Sequence, residues 1–340
     1  MKYTMKQLFG ISHFLIKLFQ ILLYIPIQLV FIPFTVVGFI DAVFKEMRNS
    51  KKQGVSFTAV KALQYRWLMH YFNTRPDLIS VAFIKKLACE SHFGLWSTFA
   101  ALIISQRLFG FTTRFGKLAE PGEETLFSTP GRRVLMFDQI LKKYVDEMEQ
   151  IVIPGAGFDL IALHFTKGIK VKVFELDQVE TLNAKVETLN KTGIKHDWIT
   201  YIPVDYSNES WVDRLLGAGF ERTKKTLFLW ESVSLFLEAD LVKETLREMA
   251  DLCVEGSVIA QDFYSKAFIS GETSKTVKRS SNLMGRMGEP WKFGIDMSNK
   301  PEAAVETFLK ECRLKMIDYF QFGEKIDIEP FYCIVEAKKL

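Results

Sequence analysis

The sequence has few of the residues that mark metal-binding, disulfide-bonded or nucleic-acid-binding proteins. Its 340 residues include four cysteines, and these lie far apart without the spacing of metal ligands: Cys89, Cys253, Cys312 and Cys333. This pattern predicts reduced thiols in a cytosolic environment and no metal site. The formal net charge is only +4. No zinc-finger, homeodomain or RNP pattern accompanies that charge, so we predict no nucleic-acid partner.

One long apolar run is present at the N-terminus. The 23 residues Leu18–Ile40 include no charged side chain. A helix of about 20 apolar residues is long enough to cross the hydrocarbon core of a bilayer. The length of the run and the lack of a small-residue cleavage site after it disfavour a secretory signal peptide. The sequence therefore predicts that residues 1–48 anchor the protein at a membrane.

The arrangement of this anchor is left open by the sequence. Pro26 and Pro33 each remove a helix hydrogen-bond donor and clash with the preceding turn. Either the two halves form a shallow hairpin, or a single tilted helix spans the membrane. The basic flanking residues are Lys2, Lys6 and Lys17 before the run and Lys45, Arg48, Lys51 and Lys52 after it. Because both flanks are basic, the positive-inside rule gives little preference, and we expect the rest of the chain to face the cytoplasm.

Residues 49–130 are predicted to form a helical linker. Asn49–Gly54 is basic and polar, which is typical of a hinge. Val55–Phe72 has apolar residues at helical spacing and predicts an amphipathic helix. Phe93–Ser105 is apolar but too short to cross a bilayer, so a core helix is favoured. Glu120–Arg133 contains two prolines and two glycines and predicts a loop that leads into the last region.

Residues 131–340 show alternating helices and strands after a predicted helix at Val134–Glu149. Strands are predicted at Ile151–Ile153, Val171–Phe174, Ile199–Val204, Thr226–Trp230 and Ser257–Ala260, and helices between them at Phe158–Thr166, Gln178–Asn190, Ser210–Leu216 and Ala239–Leu252. This alternation predicts an α/β fold with a doubly wound, mostly parallel sheet. A helix at Pro301–Glu311 and two consecutive strands, Lys315–Phe322 and Phe331–Ala337, predict that an antiparallel C-terminal strand completes it.

The most informative motif is I-V-I-P-G-A-G-F-D at Ile151–Asp159. Gly155 and Gly157 predict a tight turn that lets the backbone approach a nucleotide at the carboxyl end of the first strand. Glu175 follows Gly155 by twenty residues, where an acidic residue accepts hydrogen bonds from ribose hydroxyls. Leu160 stands where the dinucleotide fingerprint has its third glycine. Together with the antiparallel C-terminus, this favours S-adenosylmethionine over NAD, with a nicotinamide oxidoreductase as an alternative.

Two further strand ends carry polar residues. Asp205 and Tyr206 follow the third strand, where Asp205 could accept a hydrogen bond from an adenine amino group while Tyr206 flanks the ring. The alternative for Asp205 is an N-cap of the helix that begins at Ser210. Glu231 directly follows the apolar fourth strand. A carboxylate in that position needs a partner if it is buried, so we predict a functional role for it.

These motifs resemble, in order and with compatible gaps, those of the leucine carboxyl methyltransferase family, including its bacterial members. The resemblance runs from about Pro130 to the C-terminus. The similar residues are Gly155-Ala156-Gly157-Phe158-Asp159, Phe174-Glu175-Leu176-Asp177, Lys185, Val204-Asp205, Glu231 and, upstream, Arg133. Leu160–His164 departs from the family, which has Thr and then Arg there, and the N-terminal third does not match. The acceptor therefore stays open.

The resemblance implies a role for each residue. Arg133 would bind the methionine carboxylate of S-adenosylmethionine, a bidentate task suited to guanidinium. Asp177, alone or with Glu175, would hold the ribose, and Asp205 the adenine. Glu231 would lie near the amino-acid part of the cofactor and the acceptor, as a cofactor-binding residue and the candidate catalytic one.

The resemblance and the small number of candidate bases favour methylation of a carboxylate, which needs no general base. Of five histidines only His164 lies near the glycine loop. Hydroxyl methylation stays open, with Glu231 or Tyr264 as base. A membrane anchor favours a small-molecule or lipid-like acceptor, for which Phe93–Ser105 and Phe263–Phe268 could line a pocket, although each also suits a core. A tethered module that binds the cofactor without turnover is the remaining alternative.

Overall fold

A single long helix contains the apolar run. The computed structural model describes residues 5–113, 116–206 and 208–340, so Lys2 and the rest of the first four residues of the predicted anchor lie outside the described residues. Helix α1 (Met5–Gln53) continues through both Pro26 and Pro33. The shallow hairpin is therefore not the arrangement that this chain adopts. The predicted hinge at Asn49–Gly54 is also wrong, because it is helical as far as Gln53.

Three further helices follow, and each begins with a polar capping side chain. Helices α2 (Phe57–Tyr71), α3 (Leu78–Ile84) and α4 (His92–Phe109) begin after Ser56, Asp77 and Ser91. Helix α4 lies beside α1 and runs antiparallel to it. The Gln20 side chain donates to the Phe109 carbonyl at one end (2.9 Å), and Ser91 donates to Asp41 at the other.

Helix α5 (Thr129–Tyr144) begins earlier than the sequence suggested. The predicted loop Glu120–Arg133 is therefore too long at its C-terminal end. Pro130 lies in the first turn of the helix, where a missing N–H has no cost because no carbonyl is available to accept it. Arg133 is consequently held by a helix, and it is 8% exposed.

The rest of the chain forms a mixed seven-stranded sheet with helices, as the alternating pattern predicted. The elements are β1 (Gln150–Pro154), α6 (Ile161–Phe165), β2 (Lys172–Asp177), α7 (Val179–Thr192), β3 (Ile199–Pro203), α8 (Trp211–Gly217), β4 (Thr226–Trp230), α9 (Ala239–Leu252), β5 (Val258–Tyr264), α10 (Lys266–Ser270), α11 (Lys275–Arg286), α12 (Pro301–Glu311), β6 (Leu314–Gln321) and β7 (Tyr332–Lys339). The strand order is β3-β2-β1-β4-β5-β7-β6. The first five strands are parallel, and β7 pairs antiparallel with both β5 and β6.

The sheet separates two apolar cores. Strand β4 shows this directly, because its side chains alternate between faces with a period of two. Leu227 and Leu229 belong to the core that also contains Trp67 of α2, whereas Phe228 and Trp230 belong to the opposite core. Both faces are thus covered, as in doubly wound sheets. The four cysteines are free thiols and buried.

The strand order creates a topological switch point between β1 and β4, and we call the side of the sheet where the parallel strands have their carboxyl ends its edge. Strand β1 has β2 on one side and β4 on the other. The chain therefore continues from β1 to β2 in one direction, and the connection from β3 to β4 crosses to the other side of β1. In open α/β sheets ligands bind in the crevice outside the carboxyl ends of the strands at such a point. The predicted site residues follow these strands.

Candidate active site

The turn after β1 requires glycine at two positions. Gly155 and Gly157 have φ angles of +71° and +47°, a region that other residues rarely adopt. A Cβ atom on Gly155 would clash with the Val233 side chain, and one on Gly157 would lie 3.2 Å from Ala59 Cβ. The Gly157 N–H donates a 2.6 Å hydrogen bond to Asp177 Oδ2. The turn is thereby tied to the end of β2.

The two acidic residues of β2 have different surroundings. Glu175 and Lys185 are each 1% exposed, and Lys185 Nζ lies 2.5 Å from Glu175 Oε2. Asp177 lies at the strand end and accepts hydrogen bonds from Gly157 N and Gln178 N. Burial raises the pKa of both carboxyl groups despite these partners. The geometry favours Asp177 as the residue that meets a ligand, while the predicted ligand contact of Glu175 stays a prediction that its burial disfavours.

Two arginines and two carboxylates converge in front of this turn. Arg133 Nε donates to Glu231 Oε1 at 2.8 Å. Arg66 of α2 lies 3.0 Å from Asp159 Oδ2 and 3.4 Å from Glu231 Oε2. Arg133 also donates to the Tyr264 hydroxyl at 3.2 Å. The structure therefore brings the predicted residues Arg133, Asp159 and Glu231 together and adds Arg66.

Burial controls the protonation of this cluster. It raises the pKa of Glu231 above its ordinary value, although the charges of Arg66 and Arg133 act in the opposite direction. Burial also raises the pKa of the Tyr264 hydroxyl, which is fully enclosed. A tyrosine with a raised pKa is a poor base at neutral pH. Two guanidinium groups beside two carboxylates can instead hold a small ligand that carries charges of both signs.

The turn after β4 rests on a buried support that sequence reasoning missed. Ser232 has a φ angle of +55°. Its N–H donates to Asp262 Oδ1 at 2.8 Å, and the Tyr332 hydroxyl donates to Asp262 Oδ2 at 2.6 Å. These bonds fix the residue that directly follows Glu231. The signal in the sequence was Asp262 itself, an acidic residue inside the otherwise uncharged strand β5.

Arg66 was also missed, because the motif comparison began near Pro130. It lies on the buried face of α2 with Leu63 and Trp67 and is 4% exposed. A charged residue at helical spacing within an apolar stripe needs a partner. That spacing was visible in the sequence and indicated a functional or structural ion pair.

The residues after β3 form a separate turn at the same edge. Asp205 Oδ2 accepts a 2.7 Å hydrogen bond from Asn208. Ser210, and not Asp205, caps α8, because its hydroxyl accepts from Asp213 N. The N-cap alternative for Asp205 is therefore wrong. The Tyr206 side chain is 45% exposed. Although much of the residue is exposed, its hydroxyl lies close to Gly155 and Asp177, and burial there, aided by the Asp177 charge, raises the pKa of Tyr206.

His164 has a structural partner. Its Nε2 lies 2.9 Å from Asp77 Oδ1, and Asp77 also pairs with Arg75, which donates to Asp138. Burial raises the pKa of Asp77, but the hydrogen bond and charge of His164 and the charge of Arg75 outweigh it and hold that pKa well below the usual range. This network links α2, α3, α5 and α6 behind the turn. We therefore assign His164 a structural role, in which it holds Asp77 in place.

A cavity of about 520 Å³ lies against the segment that precedes α5, and none of the four cluster residues lines it. It is bounded by the segment 117–128, Thr273 and the segment 328–331. Phe331 on its wall stacks on Phe268, whose ring lies 4.7 Å from that of Tyr264. Tyr264 in turn bonds to Arg133. Three contacts thus connect the cavity to the charged cluster. Within residues 5–113, 116–206 and 208–340, no group of three or more His, Cys, Asp or Glu side chains could hold a metal ion.

The strand order and the glycine turn define a seven-stranded α/β protein of the methyltransferase type. Residues 69–250 match the family model described as leucine carboxyl methyltransferase. The chain belongs to this family, which confirms the resemblance of its motifs. The match begins well before Pro130, so the similarity extends to the end of α2, where the motifs alone suggest none. It ends at residue 250, so the resemblance expected for residues 251–340 stays a prediction.

The relatives are distant. A protein of Mycobacterium ulcerans named "Putative S-adenosyl-L-methionine-dependent methyltransferase" is 27% identical over 176 residues, which cover 51% of this chain and 55% of that protein. A protein of Frankia alni with the same description is 30% identical over 128 residues, covering 37% and 44%. The chain spans about half the length of the first of these curated relatives and less of the second.

Solved structures are similar at a lower level. A DUF574 family protein from Streptomyces avermitilis has a TM-score of 0.46 at 14% identity over 62% of this chain and 84% of its own. Magnesium protoporphyrin IX methyltransferase from Synechocystis, solved with S-adenosylhomocysteine (SAH) bound, has a TM-score of 0.42 at 10% identity, over 67% and 93%.

Proposed function

We propose that the protein is an S-adenosylmethionine-dependent O-methyltransferase whose acceptor is lipophilic and is methylated at a carboxylate. The observation that carries this proposal is the cluster of Arg66, Arg133, Asp159 and Glu231 in front of the glycine turn. The amino-acid end of the cofactor bears a carboxylate and an ammonium group. The guanidinium groups suit the carboxylate, and Asp159 and Glu231 suit the ammonium group.

The rest of the edge fits the nucleoside part. Asp177 has the position of an acidic residue at the end of the second strand, where ribose hydroxyls are bound in related folds. Asp205 and Tyr206 lie at the end of the neighbouring strand β3 and would face the adenine. The turn with Gly155 and Gly157 lets the backbone come close without side chains in between. Leu160, in place of a third glycine, disfavours a dinucleotide.

The choice of a carboxylate acceptor follows from the groups available as bases. When bound, S-adenosylmethionine supplies a methyl group on a cationic sulfur. Glu231 is paired with two arginines, and Tyr264 keeps its proton because burial raises its pKa. His164 is engaged with Asp77. An acceptor that is already ionised needs none of them and requires mainly correct placement.

The proposed acceptor is lipophilic because the cavity that Phe331, Phe268 and Tyr264 link to the cluster is mostly apolar. Leu118, Leu126, Phe127, Ile328 and Phe331 contribute to its wall. Neither of the two segments expected to line a pocket contributes a lining residue, and Phe263–Phe268 only packs behind the wall, where Phe268 stacks on Phe331. Phe93–Ser105 lies in α4 against α1. We infer that the apolar part of the acceptor occupies this cavity and that its carboxylate points towards Tyr264.

We propose further that α1 attaches the protein to a membrane with the catalytic domain on the cytoplasmic side. Phe14–Arg48 is one helix long and apolar enough to cross a membrane, and only 6% of its most apolar window is buried. Among the described residues it is the only such helix. Phe14, Leu22, Leu29 and Phe44 are each more than half exposed. Such a surface is unfavourable in water and favourable in lipid.

Calorimetry tests the cofactor assignment. We expect the purified full chain to bind S-adenosylmethionine and to ignore NAD. Arg133→Met should weaken binding about 10- to 100-fold, because a charge-assisted hydrogen bond contributes about 1.5–3 kcal/mol. Arg132→Met is the matched control, since Arg132 interacts with Glu124 and lies outside the cluster. Binding of NAD without binding of the methyl donor would overturn the proposal.

A labelling experiment tests the acceptor. The full chain is incubated with methyl-labelled cofactor and a total lipid extract, and the label is then followed through mild alkali. A carboxyl methyl ester loses its label, whereas an ether or methylamine keeps it. Alkali-stable label in a lipid would favour the hydroxyl alternative. Cofactor binding without any label transfer to the extract would favour a binding module.

A further inference from the structure

Helix α1 has two faces of different chemistry. One stripe recurs every three or four residues and faces the protein: Gln20, Tyr24, Gln28, Phe31, Thr35, Gly38, Ala42 and Glu46. The opposite face contains Leu22, Leu29 and Ile40, with exposed fractions of 59%, 62% and 49%. No charged side chain lies between Leu18 and Ile40. The polar side chains of α1 between Leu18 and Ile40 thus lie on the face towards the protein, whereas the face away from it is apolar.

The stripe of α1 that faces the protein makes contacts near both of its ends. At one end Gln20 donates to Phe109, and the Tyr24 ring stacks on Phe111 with ring centroids 4.3 Å apart. At the other end Lys61 Nζ lies 2.7 Å from Glu46 Oε2. At a rise of 1.5 Å per residue, the 26 residues from Gln20 to Glu46 span about 39 Å. A helix held over that length cannot change its angle to the domain without losing these contacts.

The middle of the contact is close. A Cβ atom on Gly38 would lie 2.8 Å from the Gly94 carbonyl oxygen, and one on Gly94 would lie 2.7 Å from the Gly38 carbonyl oxygen. The backbones of α1 and α4 therefore touch, as in small-residue helix crossings. The other side of α4 places Leu95 and Ile103 in the core that contains Trp67. Helix α4 is thus enclosed between α1 and the catalytic domain.

This packing conflicts with a span across the bilayer. If Leu18–Ile40 crossed the hydrocarbon, α4 would be carried in with it, together with the non-helical backbone after Gly110 and the exposed Arg107. Irregular backbone and charges are not tolerated in lipid, where each unpaired polar group costs several kcal/mol. In addition, Pro26 and Pro33 both lie on the exposed face. Each leaves the carbonyl four residues earlier without its usual donor, and water at the membrane surface can supply one.

We propose that α1 lies in the plane of the membrane, with its exposed face in the boundary between headgroups and acyl chains of one leaflet. This inference rests on the proposed membrane attachment and specifies its geometry. The occupant of the apolar face is a phospholipid monolayer, and none of the described residues crosses to the other side. Lys17 and Lys45 flank the apolar face at its two ends and can reach phosphate groups. The catalytic domain then lies against the surface from which a lipid acceptor would be taken.

Depth measurements along α1 test the geometry. Single cysteines are placed on the lipid face at Leu22, Leu29 and Ile40 and on the domain face at Gln28 and Thr35 of the full chain. The four native cysteines are buried, so a fluorescent label reacts with the new position. The labelled proteins are added to vesicles of phosphatidylcholine and phosphatidylglycerol that contain quenchers at known depths. Melting curves show that each variant keeps the fold.

An in-plane helix gives equal, shallow quenching at Leu22, Leu29 and Ile40 and little quenching at Gln28 and Thr35. A span gives the deepest position at Leu29, separated from Leu22 and Ile40 by about 10 Å or more along the bilayer normal, and quenching on both faces. That result would overturn the in-plane helix and leave membrane attachment intact. Absence of quenching everywhere, with the protein free of the vesicles after sedimentation, would overturn attachment itself.

Discussion

The edge of the sheet that carries the candidate site and the flank formed by α1 differ in how their side chains are arranged. At the edge, a few buried charges are fixed by hydrogen bonds, as with Arg133 and Glu231 at 2.8 Å. On the flank, many apolar side chains are exposed without a specific partner among the described residues. Energy that is concentrated in a few charges is sensitive to single substitutions. Burial of an apolar face contributes about 25 cal/mol per Å², so the energy is spread over many side chains and a single substitution changes it little.

Removal of the flank should have the largest effect. A chain that begins at Val55 lacks α1, and we expect it to move from the membrane fraction to the supernatant after cell fractionation without detergent. The single substitution Leu22→Ala is the control and should leave the full chain in the membrane fraction, because it removes only one of many apolar contacts. A full chain that stays in the supernatant would contradict the role of α1.

At the edge of the sheet, neutralising one buried charge should lower the free energy of unfolding. Glu175→Gln leaves Lys185 as a buried cation without its partner, which typically costs 3–5 kcal/mol of folding free energy. Urea unfolding measures this loss. The control is Glu187→Gln in α7, the helix that also contains Lys185. Its partner Lys191 is exposed at the surface, so little change in stability is expected. Equal midpoints for the two variants would show that burial at this edge does not concentrate the energy.

Glu90 lies where the two regions meet. Its carboxylate accepts from Gln64 (2.5 Å) and from Ser91 N (2.8 Å), near Glu46 of α1 and Lys61 of α2. Burial, with a further contribution from the Glu46 charge, raises the pKa of Glu90 to about 7 from an ordinary value of 4.5. The folded chain therefore keeps a proton that the unfolded chain releases between these values.

The stability contribution of Glu90 is thus fully present below pH 4.5 and is lost as the pH rises through about 7. The loss amounts to at most about 3.5 kcal/mol, because the two values differ by about 2.5 and each pKa unit corresponds to about 1.4 kcal/mol. Unfolding at pH 5 and pH 8 should show this decrease for the wild type. Glu90→Gln cannot ionise and should show a smaller decrease between the same two values. Identical slopes for the two proteins would contradict it.

The smallest expected effect is on the nucleoside side. Asp177→Ala or Asp205→Ala should weaken cofactor binding by about 1–3 kcal/mol without unfolding the domain, because each removes one hydrogen-bonding carboxylate. Calorimetry and melting curves separate the two quantities. Unchanged affinity in both variants would mean that the cofactor binds elsewhere on the edge.

The sequence was sufficient for features with a local cause. Strand periodicity predicted the α/β alternation, and the glycine spacing predicted the turn at Gly155 and Gly157. It was insufficient where distant segments decide the outcome. Nothing local distinguishes Glu175 from Asp177, and only the structure shows that Glu175 is paired with the buried Lys185 while Asp177 binds the glycine turn. Likewise, α1 continues through Pro26 and Pro33, although each proline locally disfavours a helix.

The reaction rates of the four buried cysteines report how often the surrounding core opens. Burial raises the pKa of Cys89 and of Cys253 to about 12 and that of Cys312 to about 11, and it also raises the pKa of Cys333. At pH 7 a thiol with a pKa near 12 is ionised in only about one molecule in 10⁵, and only the thiolate reacts quickly. Alkylation must therefore wait until the surrounding core opens. Because Cys89 lies in one core of the sheet and the other three in the second, their relative rates of modification would reveal which core opens first.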